Sequence, residues 1–168
     1  MENRKSLRLR EYDYSHGGVY FLTICAAGNQ CLFARACVGG GVFDAPHVTL
    51  TKYGTEIKVR LEEMDRVYGH VALLKYVIMP NHIHILLQAA DGPSRTQAPT
   101  KKGRANQTIP AFVSTLKRMT NRTCGISLWQ RGYHDHVVRS DADYLRIWNY
   151  IDTNPAKWAE DKYYVPLP

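Results

Sequence analysis

The sequence predicts an α+β protein with a ferredoxin-like or RRM-like core, in which helices pack on one face of an antiparallel sheet. Two observations lead to this prediction. Segments with strand and helix patterns follow one another in the order strand, helix, strand, strand, helix, strand, helix. The two central strands are separated only by a tight turn at residues 79–81, so they must run antiparallel.

The first part of the chain supplies a strand, a loop and a helix. Residues Gly17–Ala26 begin with glycine and are rich in β-branched and aromatic side chains, which predicts a strand. Residues Cys37–Leu50 are rich in glycine and predict a loop with room for one hairpin. A helix is predicted over residues 51–68, where four apolar side chains recur at helical spacing: Tyr53, Ile57, Leu61 and Met64.

The middle of the chain supplies the hairpin and a second helix. Residues 70–80 and 81–89 each have the composition of a strand and form the predicted antiparallel pair. Residues 108–123 predict a helix with Thr108 as its N-cap, because apolar side chains share one face of this segment.

The last part of the chain supplies a short strand and a third helix. The strand is predicted to end near Arg139. Ser140 or Asp141 then caps the helix, and Pro155 helps to end it.

The length of 168 residues is enough for one domain with its own core, so a single domain over residues 1–168 is expected. Residues 91–107 are rich in Gly, Pro, Ser, Thr and Lys, which predicts a flexible linker or loop. Residues 155–168 are expected to form a C-terminal tail. No apolar run is long enough to cross a bilayer and no secretory signal is recognisable, so we expect a cytoplasmic protein without a membrane partner.

The formal net charge is +7 and the isoelectric point about 9.3, which favours polyanionic partners. Basic residues gather in three segments, Arg4–Arg10, Lys101–Arg104 and Lys117–Arg122. The third segment lies on the predicted second helix, where it suits contact with phosphates. The alternative at this point is an ordinary solvated helix face.

Two histidines interrupt the apolar second strand of the hairpin. Residues i and i+2 of a strand point to the same face, so His82 and His84 project together while the flanking isoleucines face the core. Two neutral imidazoles can bind one divalent cation, although a third ligand must come from elsewhere. The alternative is a pair of exposed histidines on a hydrated sheet face. A second pair, His134 and His136, has the same spacing with a polar residue between them.

The predicted last helix carries a second pair of candidate residues. Tyr150 and Asn154 are four residues apart, so they lie on one helical face. A tyrosine hydroxyl beside a metal-bound phosphate can act as a nucleophile. An asparagine carbonyl is an acceptable ligand for a hard cation. The alternative is that Tyr150 is one more half-buried tyrosine among the 11 in the chain.

Three segments, "MPNHIHILL", "LWQRGYHDHVVR" and "DYLRIWNYIDTNPAKW", resemble the HUH single-tyrosine transposases, and most of all the REP-associated tyrosine transposases among them. The resemblance runs in the same order across most of the chain, starting at "GGVYFLTICAAGNQCLF".

This resemblance implies a metal-dependent transposase or endonuclease that acts on single-stranded DNA. His82 and His84 match the histidines that hold Mg²⁺ or Mn²⁺, and Asn154 matches the third ligand. Tyr150 matches the nucleophile, which forms a 5′-phosphotyrosine link and frees a 3′-hydroxyl that can later rejoin the strand. His136 is a secondary candidate that assists the metal or the phosphate.

The resemblance also implies a DNA partner with hairpins or palindromes. Candidate DNA contacts on the second helix are Lys117, Arg118 and Arg122. The segment after it adds candidates that either contact DNA or support the site: Trp129, Gln130, Arg131 and Arg139. Tyr12 and Tyr14 could also stack on bases, and the alternative for such aromatics is core packing. The resemblance is compatible with a monomer and with a swapped dimer. It therefore leaves open whether the protein is a homodimer in which the last helix of one chain completes the site of its partner.

Two other functions compete with this one. A non-catalytic module that binds single-stranded nucleic acid on an RRM-like sheet would need neither metal nor nucleophile. A metal-dependent hydrolase that uses a bound water would leave no covalent adduct, and would usually need more carboxylate ligands than lie near these histidines.

Overall fold

The structure, a computed structural model, describes residues 17–37, 47–90 and 108–166. In chain order its strands and α-helices are β1 (Gly18–Cys25), β2 (Ala34–Cys37), β3 (His47–Leu50), α1 (Lys52–Val67), β4 (Val71–Ile78), β5 (His82–Ala89), α2 (Thr108–Cys124), β6 (His134–Val138) and α3 (Asp141–Thr153). The predicted order of strands and helices is confirmed for the main sheet and the three α-helices, while β2 and β3 add two strands before α1. The predicted linker at 91–107 and the N-terminal residues 1–16 lie outside them.

Four strands form the main sheet in the spatial order β4-β5-β1-β6, and all neighbours are antiparallel. The hairpin of β4 and β5 is therefore confirmed. In the register of β1 and β5, His82 lies opposite Cys25 and His84 opposite Thr23. The two middle strands, β5 and β1, carry the centre of the sheet.

The two faces of the sheet are covered by different helices. Alternate side chains of β1 and β5, such as Ile83 and Ile85, form the main core together with apolar side chains of α1 and α2. On the opposite face, Ile147 and Ile151 of α3 pack against Leu86. The predicted α+β class with an antiparallel sheet is confirmed. The placement of helices on one face holds for α1 and α2, whereas α3 covers the face that carries the histidines.

Local capping explains where two helices begin. The Thr51 hydroxyl accepts a hydrogen bond from the Gly54 N–H at the start of α1. The Ser140 hydroxyl does the same for the Asp143 N–H at the start of α3, so Ser140 rather than Asp141 is the cap of the two that the sequence allowed. Thr108 is the first residue of α2, and the residues before it lie outside the described ranges.

Two segments without clear sequence patterns acquire structure from their neighbours. The predicted loop at Cys37–Leu50 starts at the last residue of β2 and ends with β3. These two strands pair with each other and form a separate antiparallel two-stranded sheet. Residues 38–46, between them, lie outside the described part. The predicted C-terminal tail contains a 3-10 turn at Trp158–Glu160, and the Trp158 side chain is buried. This segment is therefore packed against the domain through residue 164 rather than extending away from it. None of the described helices is long and apolar enough to cross a membrane.

Replacing Gly54 tests the close approach of α1 to the chain before it. A Cβ on Gly54 would lie 2.0 Å from the Phe33 carbonyl oxygen. Gly54→Ala should therefore lower the free energy of unfolding by about 1–3 kcal/mol in urea denaturation, although alanine is the better helix former. Gly69→Ala is the matched control, since a Cβ there meets nothing within 4 Å, and it should change stability by less than about 0.5 kcal/mol. Equal effects of the two changes would contradict this packing.

Candidate active site

His82 and His84 face each other on the α3 side of the sheet. Their side chains project from β5 on the same face, and their Nε2 atoms are 3.0 Å apart. The two residues are 0% and 1% exposed, which rules out the alternative of exposed histidines on a hydrated surface. The pair is part of the protein interior, where each ring nitrogen needs a polar partner.

The outer nitrogen of each ring has such a partner. The Nδ1 of His82 lies 2.9 Å from the Oδ1 of Asn81, and the Nδ1 of His84 lies 2.9 Å from the Oγ1 of Thr23 on the neighbouring strand. Partners of this kind orient the imidazoles of metal-binding histidines in other proteins. The arrangement directs both Nε2 atoms toward one shared point.

Burial keeps both imidazoles neutral. It lowers the pKa of His82 to about 4, with the Lys162 charge acting in the same direction and the Asp161 charge opposing it. Burial is the main cause that lowers the pKa of His84 well below its usual value, and the charge that His82 would carry when protonated and the Lys162 ammonium act in the same direction. Neutral imidazole is the form that binds a cation.

Tyr150 reaches this pair from α3 of the same chain. Its hydroxyl oxygen lies 3.2 Å from the Nε2 of His84 and donates a hydrogen bond of 3.1 Å to Asp161. Burial raises the pKa of the Tyr150 hydroxyl, and the negative charge of Asp161 raises it further. The phenol is therefore neutral, and it becomes a good nucleophile only when a positive charge balances the developing phenolate.

Asn154 and Asp161 add oxygen atoms next to the phenol. The Nδ2 of Asn154 donates to the Oδ2 of Asp161 at 2.7 Å, while the Oδ1 of Asn154 is buried and has no hydrogen-bond partner among the described residues. Asp161 offers a carboxylate oxygen within 4.8 Å of ligand nitrogens of His82 and His84. Two imidazoles, a carboxylate and an orphaned buried amide oxygen form a donor set that fits a divalent cation.

Sequence reasoning missed Asp161. It lies in the predicted tail, and no spacing relates it to the histidines or to Tyr150. The chain places it in the site by turning back after α3, and the Tyr163 N–H fixes it with a 2.7 Å hydrogen bond to its Oδ1. The Tyr163 ring also packs on His82, with 4.7 Å between the ring centroids.

A cavity of about 260 Å³ opens beside Tyr150. Its lining combines the candidate site residues with two exposed lysines, and consists of Tyr150, Thr153, Asn154, Lys157, Glu160, Asp161 and Lys162. The lining carries two ammonium groups, of Lys157 and Lys162, and two carboxylates, of Glu160 and Asp161, so a phosphate in this cavity would have cationic groups nearby.

His136 lies apart from the group of candidate ligands. It projects from β6, and its Nε2 is 2.6 Å from the Oδ2 of Asp143 near the start of α3. The same carboxyl group pairs with Arg146. These contacts join β6 to the first turn of α3, the helix that carries Tyr150.

Two of the residues predicted to contact DNA are engaged inside the protein. Trp129 is 6% exposed, packs on Phe33 and donates through Nε1 to Thr120, so the prediction that it stacks on DNA bases is corrected to core packing. The Nζ of Lys117 donates to the carbonyl oxygens of Gln130 and Gly132, and burial lowers its pKa to about 8. Its ammonium holds the segment before β6 in place rather than standing free for a phosphate.

The remaining basic residues predicted to contact DNA are all exposed arginines: Arg118 and Arg122 on α2, Arg131 before β6, and Arg139 after it. The helix α2 packs on the sheet face opposite to Tyr150. Contacts from α2 would therefore engage DNA away from the phenol.

Comparison with known proteins gives relatives along most of the chain, although no family model matches it. An uncharacterized protein of Haemophilus influenzae is 30% identical over an alignment of 180 positions, which covers 98% of this chain and 95% of that protein. A putative REP-associated tyrosine transposase of the same organism is 23% identical over 147 residues, or 86% of this chain and 74% of that protein.

A solved structure shares the fold of this chain. A REP-associated tyrosine transposase bound to a REP hairpin superposes with a TM-score of 0.62 at 20% identity, over 92% of this chain and 76% of that one. A putative transposase from Deinococcus radiodurans gives a TM-score of 0.46 at 19% identity, over 87% of this chain and 95% of that one.

The neutral state of His82 predicts a loss of stability in acid. Its pKa is about 6.5 in the unfolded chain and about 4 in the folded protein, so between these values the unfolded state binds more protons. The free energy of unfolding should fall as the pH drops from about 6.5 to 4, by on the order of 2 kcal/mol for this group. Urea denaturation of the metal-free protein at pH 7.5 and 4.5 measures it. His82→Asn should lose less stability over the same interval, and equal losses would contradict the shift.

Proposed function

We propose that this chain is an HUH single-tyrosine transposase of the REP-associated branch, and that it cleaves and rejoins single-stranded DNA through a covalent bond to Tyr150. One observation carries the proposal. The Tyr150 hydroxyl lies 3.2 Å from the Nε2 of His84, beside a pair of buried neutral imidazoles. A nucleophile next to a cation site is what phosphoryl transfer from DNA requires.

The proposed reaction exchanges one phosphate ester for another. The Tyr150 oxygen forms a bond to the phosphorus of a phosphodiester while the bond from phosphorus to the 3′ oxygen breaks. The 5′ phosphate stays on the tyrosine, and the phenol proton ends on the departing 3′-hydroxyl. Attack by a 3′-hydroxyl on the phosphotyrosine reverses the step, rejoins DNA and restores the phenol. The ester bond is conserved throughout, so no ATP is needed.

The residues that fit Mg²⁺ or Mn²⁺ are His82, His84 and Asn154, with Asp161 as a further oxygen donor. When bound, such a cation stabilises negative charge on the phosphoryl oxygens. The protein's own groups do the rest. Asp161 accepts the hydrogen bond of the phenol and orients it, and packing of α3 on the sheet holds the phenol beside the imidazoles.

The proposed DNA partner is a hairpin or a palindromic single strand. The solved relative that shares this fold is bound to a REP hairpin, which supports this class of substrate. The exposed arginines named above are the proposed phosphate contacts, and the lysines at the cavity beside Tyr150 provide positive charge near the scissile bond. His136 has a secondary role in this proposal, since its pairing with Asp143 steadies the helix that carries Tyr150.

A non-catalytic RRM-like binder is less well supported. Such a module stacks bases on an open sheet face. Here α1 and α2 pack on one face and α3 on the other, so neither face offers a free platform at the centre of the sheet.

The nucleophile can be tested with a labelled single-stranded hairpin oligonucleotide and Mn²⁺. The wild-type protein should form a covalent adduct that survives denaturing electrophoresis. Tyr150→Phe should abolish the adduct, because no oxygen remains to attack, while DNA binding persists. Tyr144→Phe is the matched control on the same helix and should keep the adduct. A Tyr150→Phe protein that still forms the adduct would show that the nucleophile is another residue, and metal-independent binding without any adduct would favour the non-catalytic module.

The cation site can be tested without DNA by titrating Mn²⁺ and measuring the free ion by electron paramagnetic resonance. The double variant His82→Ala with His84→Ala should abolish specific binding. Asn154→Ala and Asp161→Ala should each weaken it at least several-fold, because each removes one oxygen donor. His136→Ala should leave Mn²⁺ affinity unchanged, since its ring pairs with Asp143 outside the group of donors. Wild-type affinity in the double histidine variant would refute the site.

A further inference from the structure

We propose that Asn81 is the positioning residue of the cation site: it fixes the tautomer of His82 and thereby points the lone pair of His82 Nε2 into the site. This inference rests on the proposed function for the presence of the cation, but its central claim concerns the metal-free protein. Asn81 precedes β5 directly and is 1% exposed.

The orientation of the Asn81 amide is determined by two backbone carbonyls. Its Nδ2 donates to the carbonyl oxygen of Asn29 at 3.2 Å and to that of Tyr163 at 2.8 Å. Carbonyl oxygens can only accept, so a flipped amide would place its own oxygen against both of them. The Oδ1 of Asn81 must therefore be the atom that faces His82.

This orientation leaves only one tautomer for a neutral His82. An amide oxygen accepts and cannot donate, so the proton must sit on His82 Nδ1, 2.9 Å away. The other ring nitrogen, Nε2, then carries a free lone pair and faces the Nε2 of His84 at 3.0 Å. Metal-binding histidines need this state, in which one nitrogen donates to a neighbour and the other is free to coordinate.

His84 is held by a partner of a different kind. The Thr23 hydroxyl near its Nδ1 can either donate or accept, because a hydroxyl rotates to suit. In the metal-free protein His84 can therefore carry its proton on Nε2 and donate it to His82. It can move the proton to Nδ1 once a cation takes that place. Asn81 thus fixes one ligand, while Thr23 lets the other adapt.

The same amide also connects the cation site to the C-terminal segment. Its bond to the Tyr163 carbonyl anchors the residue whose N–H holds Asp161. A test must therefore separate the tautomer from the anchor. Asn81→Asp keeps an oxygen that can accept from His82, but its second oxygen repels the carbonyls of Asn29 and Tyr163, so this variant breaks the anchor while it retains the acceptor. Asn81→Leu loses the acceptor as well as the donors.

The tautomer of His82 can be measured directly by NMR spectra of two-bond proton–nitrogen couplings, recorded at pH 7.5 without metal on protein with ¹⁵N-labelled histidine. Comparison with the spectrum of His82→Asn assigns the signals of His82. Wild type and Asn81→Asp should show His82 protonated on Nδ1. Asn81→Leu should show His82 protonated on Nε2 or as a mixture of the two forms. Asn121→Ala is the control: it removes another side-chain bond to the backbone, the one to the Leu128 N–H, and should leave the tautomer unchanged.

Mn²⁺ titration of the same proteins gives the second measurement. Asn81→Leu loses the hydrogen bond to His82 Nδ1, which should raise the dissociation constant for Mn²⁺ about 10–100-fold. Asn81→Asp should bind Mn²⁺ more tightly than Asn81→Leu. Wild-type His82 protonated on Nε2, or an unchanged tautomer in Asn81→Leu, would overturn the inference. If Asn81→Leu does not fold, the wild-type and Asn81→Asp spectra still decide it. The adduct assay on Tyr150 is independent, so failure of the proposed function would be seen separately.

Discussion

Burial of β5 on both faces is the constraint on which the rest of this structure depends. Every residue from His82 to Leu87 is buried, because β5 lies between β4 and β1, with α1 and α2 on one side and α3 on the other. On one face the side chains are apolar and need no hydrogen-bond partners when they are buried. On the other face two imidazoles must find polar partners inside the protein, since an unpaired buried polar group costs several kcal/mol. Asn81 and Thr23 supply them, and the remaining nitrogens face each other.

The helix α3 converts that polar patch into a chemical site. Apolar packing of Ile147 and Ile151 holds it on the sheet, and an ion pair between Lys75 and Asp152 adds a contact to β4. These contacts place the Tyr150 phenol beside neutral imidazoles and one carboxylate, a setting that disfavours a phenolate. Nucleophilicity therefore depends on an added positive charge, which couples the proposed chemistry to cation binding.

The fold was predictable because its evidence is local. A few neighbouring residues are enough to predict each of its features: the strand and helix periods, the turn before β5 and the Ser140 cap. Trp129 and Lys117 show where local evidence fails. A tryptophan and a lysine near other basic residues look the same in sequence whether they meet DNA or the interior. Only packing on Phe33 and a set of backbone carbonyls show that both are engaged within the protein.

The sequence by itself determined two half-sites: the shared face of His82 and His84 on a strand, and the shared face of Tyr150 and Asn154 around one helical turn. Both follow from backbone periods that act over two to four residues. Only the tertiary structure decided that the two halves meet, that Asp161 joins them, and that the Asn81 amide faces His82 with its oxygen. Those outcomes depend on how segments as far apart as residues 29, 81 and 163 pack against one another, and no local pattern records that packing.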